Sequence, residues 1–144
     1  MKINRSTDIA LRIAMLVAVR NDRMTVEELA TELAVPRNHI AKIVQRLQRT
    51  NVLVTTRGRA GGVELEADAR HVTVGYVVRA FEGEGEVVDC ATPPCPLRHG
   101  CRLRSVLHRA QQAFLATLDD VPLDELIAAP TGPILLGLTA PSRS

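Results

Sequence analysis

Between Thr25 and Arg49 two short amphipathic segments are parted only by Ala34-Val35-Pro36. A break that brief obliges the second segment to turn straight back on the first, and few folds permit it. The first segment opens on Thr25-x-x-Glu28, the spacing at which a hydroxyl and a carboxylate satisfy amides left without partners at a helix start. Val26, Leu29, Ala30 and Leu33 are its buried set. In the second, Ile40, Ile43, Val44 and Leu47 recur at offsets of 0, 3, 4 and 7, and Pro36 suits a first helical turn. The opposite face shows Asn38, Lys42, Gln45, Gln48 and Arg49. Two helices at a tight turn, the second polar and basic outside, read as a helix-turn-helix able to lie on double-stranded DNA.

The flanks complete a winged domain over residues 1–72. Ser6 or Thr7 can cap a first helix reaching about Val19, with Ile9, Ile13, Leu16 and Val17 on one face, and Asn21-Asp22 marks a turn. Val52 to Thr56 is β-branched, Val63 to Leu65 can pair back to it, and Arg57-Gly58-Arg59-Ala60-Gly61-Gly62 lies between them. Three glycines let this tip turn tightly while Arg57 and Arg59 project from it as a wing. Arg37, Asn38, His39 and Lys42 are the expected contacts to base edges and phosphates, and Arg57 and Arg59 the contacts to backbone or minor groove. Arg46 and Arg49 read as phosphate contacts or a solvated face. The charge agrees: residues 1–62 carry eleven Lys/Arg against five Asp/Glu, and 63–144 seven against eleven. The half that would meet a polyanion is the basic one. With Tyr76, Phe81 and Phe114 as the whole aromatic complement, binding by base stacking is disfavoured.

Beyond the wing, residues 73–100 hold a short helix, Val74 to Phe81, and a loop with Pro93, Pro94 and Pro96. From Cys101 a long helix reaches about Leu118, striped with Leu103, Val106, Leu107, Ala110, Phe114 and Leu118. Alternating spacings of three and four suit packing along a partner helix. Residues 101–128 are therefore read as a dimerisation helix with a following short helix from Pro122, and 129–144 as a C-terminal tail. The expected fold is mainly α with a small β wing: a winged helix-turn-helix domain plus a long dimerisation helix. A homodimer implies a two-fold related operator with half-sites about one helical turn apart.

Cys90, Cys95 and Cys101 fall within twelve residues of a chain with no other cysteine. No segment reads as a signal peptide or membrane span, since the apolar run from Ile9 to Val19 is short and broken by Arg12. The expected compartment is the reducing cytoplasm, where an odd set of three thiols points to metal binding or redox sensing rather than disulfides. An irregular loop this long in a small domain calls for a bound group to order it. Structural zinc favours close Cys pairs, whereas C-x4-C-x5-C fits a cluster larger than one ion. Three thiolates leave one iron of such a cluster to another ligand, open to attack by a small molecule. Zinc held with His99 or His108 is the alternative, giving a zinc-stabilised DNA-binding module. No Cys/His/acid arrangement or phosphate loop supports an enzyme.

In combination these residues resemble the IscR/NsrR family of winged-helix transcriptional regulators. The resemblance runs from Ser6-Thr7-Asp8-Ile9-Ala10-Leu11-Arg12 through the wing to Glu82-Gly83-Glu84, Val87-Val88-Asp89-Cys90, Cys95-Pro96-Leu97-Arg98, Cys101-Arg102-Leu103-Arg104 and Ala129-Pro130-Thr131-Gly132-Pro133. It is nearest to the family's nitric-oxide-sensing repressors. It implies a homodimer crossed by the long helix, and a [4Fe–4S] cluster on Cys90, Cys95 and Cys101 with Asp8 of the other subunit completing the set. Taken alone, Asp8 reads as a first-turn acid favoured by the helix dipole. The implied function is a DNA-binding repressor released when nitric oxide reacts with the cluster. A sensor of cluster supply or of oxidants is the alternative within the family. Two departures stand out. The first cysteine gap is one residue shorter than usual, and Arg104 stands where the family's [2Fe–2S] members place a histidine ligand.

Overall fold

The structure is a computed structural model and describes residues 2–137. In chain order it has α1 (Arg5–Arg20), α2 (Val26–Leu33), α3 (Arg37–Arg49), β1 (Leu53–Thr56), β2 (Gly62–Leu65), a 3-10 turn (Ala69–His71), α4 (Val74–Glu82), α5 (Arg102–Asp119), α6 (Leu123–Leu126) and α7 (Thr131–Gly137). The expected mainly helical winged architecture is present.

α1 is the axis of the core. Ile9, Ala10, Ile13, Ala14, Leu16 and Val17 are each at most 2% exposed. Its alanines let neighbours approach on more than the one face expected, so α2, α3, α4, α6, α7 and β2 all pack against it. The cap also differs from expectation. Asn4, not Ser6 or Thr7, accepts the Thr7 N–H at 2.9 Å. Thr7 is fully buried, and its hydroxyl donates to Glu82 Oε1 at 2.7 Å instead.

α2 and α3 form the helix-turn-helix. Thr25 Oγ1 accepts the Glu28 N–H at 3.1 Å, Leu29 is wholly buried, and Val26, Ala30 and Leu33 pack at the edge of the same core. α3 buries Ile40, Ile43, Val44 and Leu47, with Pro36 just outside its first turn as the N-cap. Ala34 makes the turn between the helices in the left-handed region at φ 54°, its N–H returning to the Ala30 and Thr31 carbonyls.

β1 and β2 pair antiparallel, with Leu53 opposite Leu65 and Thr56 opposite Gly62. Met24 bridges to Val63 through mutual N–H···O bonds of 2.9 and 2.7 Å, anchoring the hairpin to the turn after α1. α4 and α5 meet around Val74, Val78 and Leu115. Gly75 permits the approach: a Cβ there would fall on Asp119 Oδ1 and lie 2.8 Å from the Asp119 backbone nitrogen.

The long helix departs from its expected stripe. Leu115, outside that stripe, is its buried residue, and Phe114 and Leu118 support it, whereas Leu103 and Val106 are 64% and 48% exposed. The C-terminal half of α5 packs against α4 through apolar side chains, whereas the N-terminal half meets its own chain through polar bonds to the cysteine loop. α7, in a stretch whose Pro and Gly content conceals a helix, buries Leu135 in the main core. The remainder of the tail, 138–144, lies outside the described residues. Among the described residues no helix is long and apolar enough to cross a membrane.

The Ala34 conformation gives a direct test of the turn. A side chain in the left-handed region costs roughly 1–2 kcal/mol, part of which glycine returns as unfolded-chain entropy. Ala34→Gly should raise stability by about 0.5–1 kcal/mol and Ala34→Val should lower it by about 1 kcal/mol. Urea denaturation of the three proteins checks this, and coincident midpoints would contradict the strained turn.

Candidate nucleic-acid interface and cysteine loop

The polar face of α3 is open at its start. Arg37, Asn38 and Lys42 are exposed, and His39 is half-buried with Nε2 3.4 Å from Ser6 Oγ on α1. Arg37 is not free. Its Nε lies 2.6 Å from Glu27 Oε1 on α2, and that hydrogen bond holds the Glu27 carboxyl below the usual carboxylate range. Arg46, expected as a phosphate contact or a solvated face, is half-buried and engaged within the chain: its guanidinium sits 4.0 Å over the Phe81 ring and within 3.3–3.4 Å of the Phe81 and Ala80 carbonyls. It stacks on one ring and satisfies the exposed end of α4.

At the wing tip Gly58 takes φ 108° and Gly62 φ 155°, while a Cβ on Gly61 would collide with the Thr56 carbonyl. Arg57 and Arg59 are exposed there, with no side-chain partner among the described residues. Arg23 fixes the base of the tip by donating to the Ala60 carbonyl at 2.9 Å.

The last turn of α4 is a junction. Glu82 Oε1 accepts the Asn4 N–H at 2.6 Å and the Thr7 hydroxyl at 2.7 Å, and Arg46 of α3 reaches the preceding carbonyls. Gly83 follows at φ 78°, where the cysteine loop begins. Gln111 of α5 donates to the Gly85 carbonyl at 2.7 Å. Asp89 Oδ1 accepts the Ala91 and Thr92 amides, and the Cys95 N–H returns to the Cys90 carbonyl at 2.9 Å. The loop ends at Cys101, whose Sγ caps α5 by accepting the Arg104 N–H at 3.4 Å.

All three thiols are unpaired and half-buried. Glu86 and Arg104 form an ion pair beside them, at 2.8 Å. The bond from Arg104 holds the Glu86 carboxyl below its ordinary value, and Glu86 raises the guanidinium in turn, with Cys90 and Cys101 near enough to add to the effect. Cys101, His99 and His108 line one cavity of about 500 Å³, and Cys90 lines a second of about 260 Å³. Glu86, Arg98 and Arg104 line both. Asp8 is elsewhere: it pairs with Arg12 at 2.8 Å in the first turns of α1, and among the described residues no hydrogen bond joins it to the cysteine loop. Sequence reasoning missed Glu82, Glu86 and the true partner of Arg46, because each acts across the chain and none belongs to a local pattern.

A family model, Rrf2, described as an iron-dependent transcriptional regulator, matches residues 3–129. The chain is 49% identical over 143 residues to the HTH-type transcriptional repressor NsrR of Streptomyces coelicolor, covering 96% of this chain and 97% of that protein. It is 31% identical over 132 residues to the HTH-type transcriptional regulator NsrR of Bacillus subtilis, covering 88% and 90%. Among solved structures, oxidized Staphylococcus aureus CymR superposes with a TM-score of 0.67 at 21% identity, covering 88% of this chain and 95% of that one. IscR of T. potens superposes with a TM-score of 0.66 at 17% identity, covering 88% and 86%. These two share the fold. The family and the curated relatives are transcriptional regulators, not enzymes.

Proposed function

We propose that this chain, which belongs to the Rrf2 family and is a DNA-binding transcriptional repressor, senses nitric oxide through a [4Fe–4S] cluster held by Cys90, Cys95 and Cys101. One observation carries the reading: three unpaired thiols share a single loop whose root is bonded to both α1 and α3. Soft thiolate donors suit zinc or iron–sulfur groups. The C-x4-C-x5-C spacing, without a close cysteine pair, favours the larger group. When bound, the cluster supplies an iron that carries no protein thiolate and is open to nitric oxide.

The chain's own residues do the rest. Asp8, whose side chain pairs with Arg12 alone among the described residues, is the ligand offered to a second copy. The exposed half of α5, with Leu103 and Val106, is the surface along which two copies join. Joined so, they present two α3 helices and two wings to a two-fold operator in the cytoplasm. Asn38 and Lys42 face base edges, His39 is steadied by Ser6, and a phosphate competes with Glu27 for Arg37. Release of the loop loosens the last turn of α4, and the bonds that Asn4 and Thr7 donate to Glu82 and that Arg46 donates to the Phe81 carbonyl pass that change to α1 and α3.

Replacing any one of Cys90, Cys95 or Cys101 with Ala should give a colourless protein that still folds, because the core draws on none of them. Visible absorbance and circular dichroism check this. Variants that keep the chromophore would overturn the ligand assignment, and a colourless parent with stoichiometric zinc would replace the cluster by the metal.

Arg57→Ala and Arg59→Ala should each weaken operator binding and flatten its salt dependence, by a slope of roughly 0.9 for each phosphate no longer neutralised. Asn38→Ala should instead relax preference at one base pair by about 1–3 kcal/mol. Binding titrations across a salt series separate the two, and unaltered slopes in both wing variants would remove the wing from the interface.

A further inference from the structure

From Gly83 to Gly100 every residue is exposed or half-exposed, so apolar burial does not shape the cysteine loop. One ion pair spans it. Glu86 precedes the first cysteine and Arg104 follows the last, and three hydrogen bonds join them: Nε to Oε2 at 3.0 Å, Nε to Oε1 at 3.2 Å and Nη2 to Oε1 at 2.8 Å. A fork of this kind fixes orientation as well as distance. The same Arg104 donates Nη1 to the Arg98 carbonyl at 3.3 Å and its backbone N–H to Cys101 Sγ at 3.4 Å. Its side chain borders both the cavity that holds Cys90 and the one that holds Cys101.

We propose that the Glu86–Arg104 pair is a latch that shapes the cysteine loop before any cluster is bound, and that Arg104 is a positioning residue for the thiolate ligands. The second half of this proposal rests on the cluster reading above. A guanidinium keeps its proton and has no lone pair to offer iron, so Arg104 acts by holding and by charge. Closing the loop in advance removes part of the chain entropy that cluster uptake would otherwise have to overcome. The fixed positive charge of Arg104 borders the cavities of Cys90 and Cys101, where it would raise the potential of a bound cluster.

The test compares the full-length parent with Glu86→Gln, Arg104→Met and Arg104→Lys. Hydrogen exchange of the amides between residues 86 and 104 is read in the cluster-free protein. Chromophore uptake during anaerobic reconstitution with iron and sulfide, and the midpoint potential of the loaded protein, are read in parallel. Glu86→Gln and Arg104→Met should speed loop exchange by roughly two- to fivefold, as expected for a partly exposed pair, and slow uptake. Arg104→Met alone should lower the potential. Arg104→Lys, which keeps the charge and loses the fork, should restore the potential without restoring loop protection. A parent that loads cluster, with Glu86→Gln and Arg104→Met matching it in loop exchange and uptake, overturns the latch. A parent that takes up no chromophore overturns the cluster reading and the ligand role of Arg104, and loop exchange in the same variants still decides the latch.

Discussion

The last turn of α4 is where the cysteine loop and the helix-turn-helix are held to one another. Two side chains make the junction. Glu82 gathers the Asn4 amide and the Thr7 hydroxyl from the start of α1, and Arg46 of α3 lies over Phe81 while bonding the terminal carbonyls of α4. A guanidinium at a helix C-terminus interacts favourably with the dipole and with the carbonyls that the helix itself leaves unpaired. Both ends of the junction sit on well-buried helices: Thr7 is fully buried, and Phe81 is only 6% exposed. Displacing α4's end therefore moves α1 and α3 unless these bonds break.

The loop that leaves this junction is built differently from everything around it. The winged domain is specified by apolar burial along α1, whereas the loop is specified by hydrogen bonds and one ion pair. Structure of that kind opens at low cost and depends on what binds it. The contrast sets a segment packed by apolar burial beside one held by polar contacts, the two meeting at Gly83. It also fits the thiols' partial exposure: all three are half-buried, and Cys90 and Cys101 each border a cavity.

Much of the fold was legible because it rests on local periodicity. Ile40, Ile43, Val44 and Leu47 announce α3, and the glycine-arginine tip announces the wing. What escaped depends on contacts distant in sequence. The cap of α1 went to Asn4 since Thr7, a good capping residue on its own, is drawn to Glu82 seventy-five positions away. Arg46 looks solvated on a helical wheel until Phe81 is placed beneath it. Leu115 fell outside a stripe chosen for regular spacing, and α7 lies in a Pro- and Gly-containing stretch that local rules read as a tail. For the candidate site, the sequence supplied the thiols and the exposed basic residues, but neither the Glu27 partner of Arg37 nor the Glu86 partner of Arg104.

If the junction works as proposed, the state of the cysteine loop governs the grip of α3 and the wing on DNA. Anaerobically purified protein, bound to the DNA fragment it selects from a random-sequence pool, can be titrated with nitric oxide while visible absorbance and DNA occupancy are recorded together. The expected result is a brown protein whose chromophore changes and whose DNA dissociates over the same range of nitric oxide. A chromophore that is consumed while the DNA stays bound would contradict the coupling.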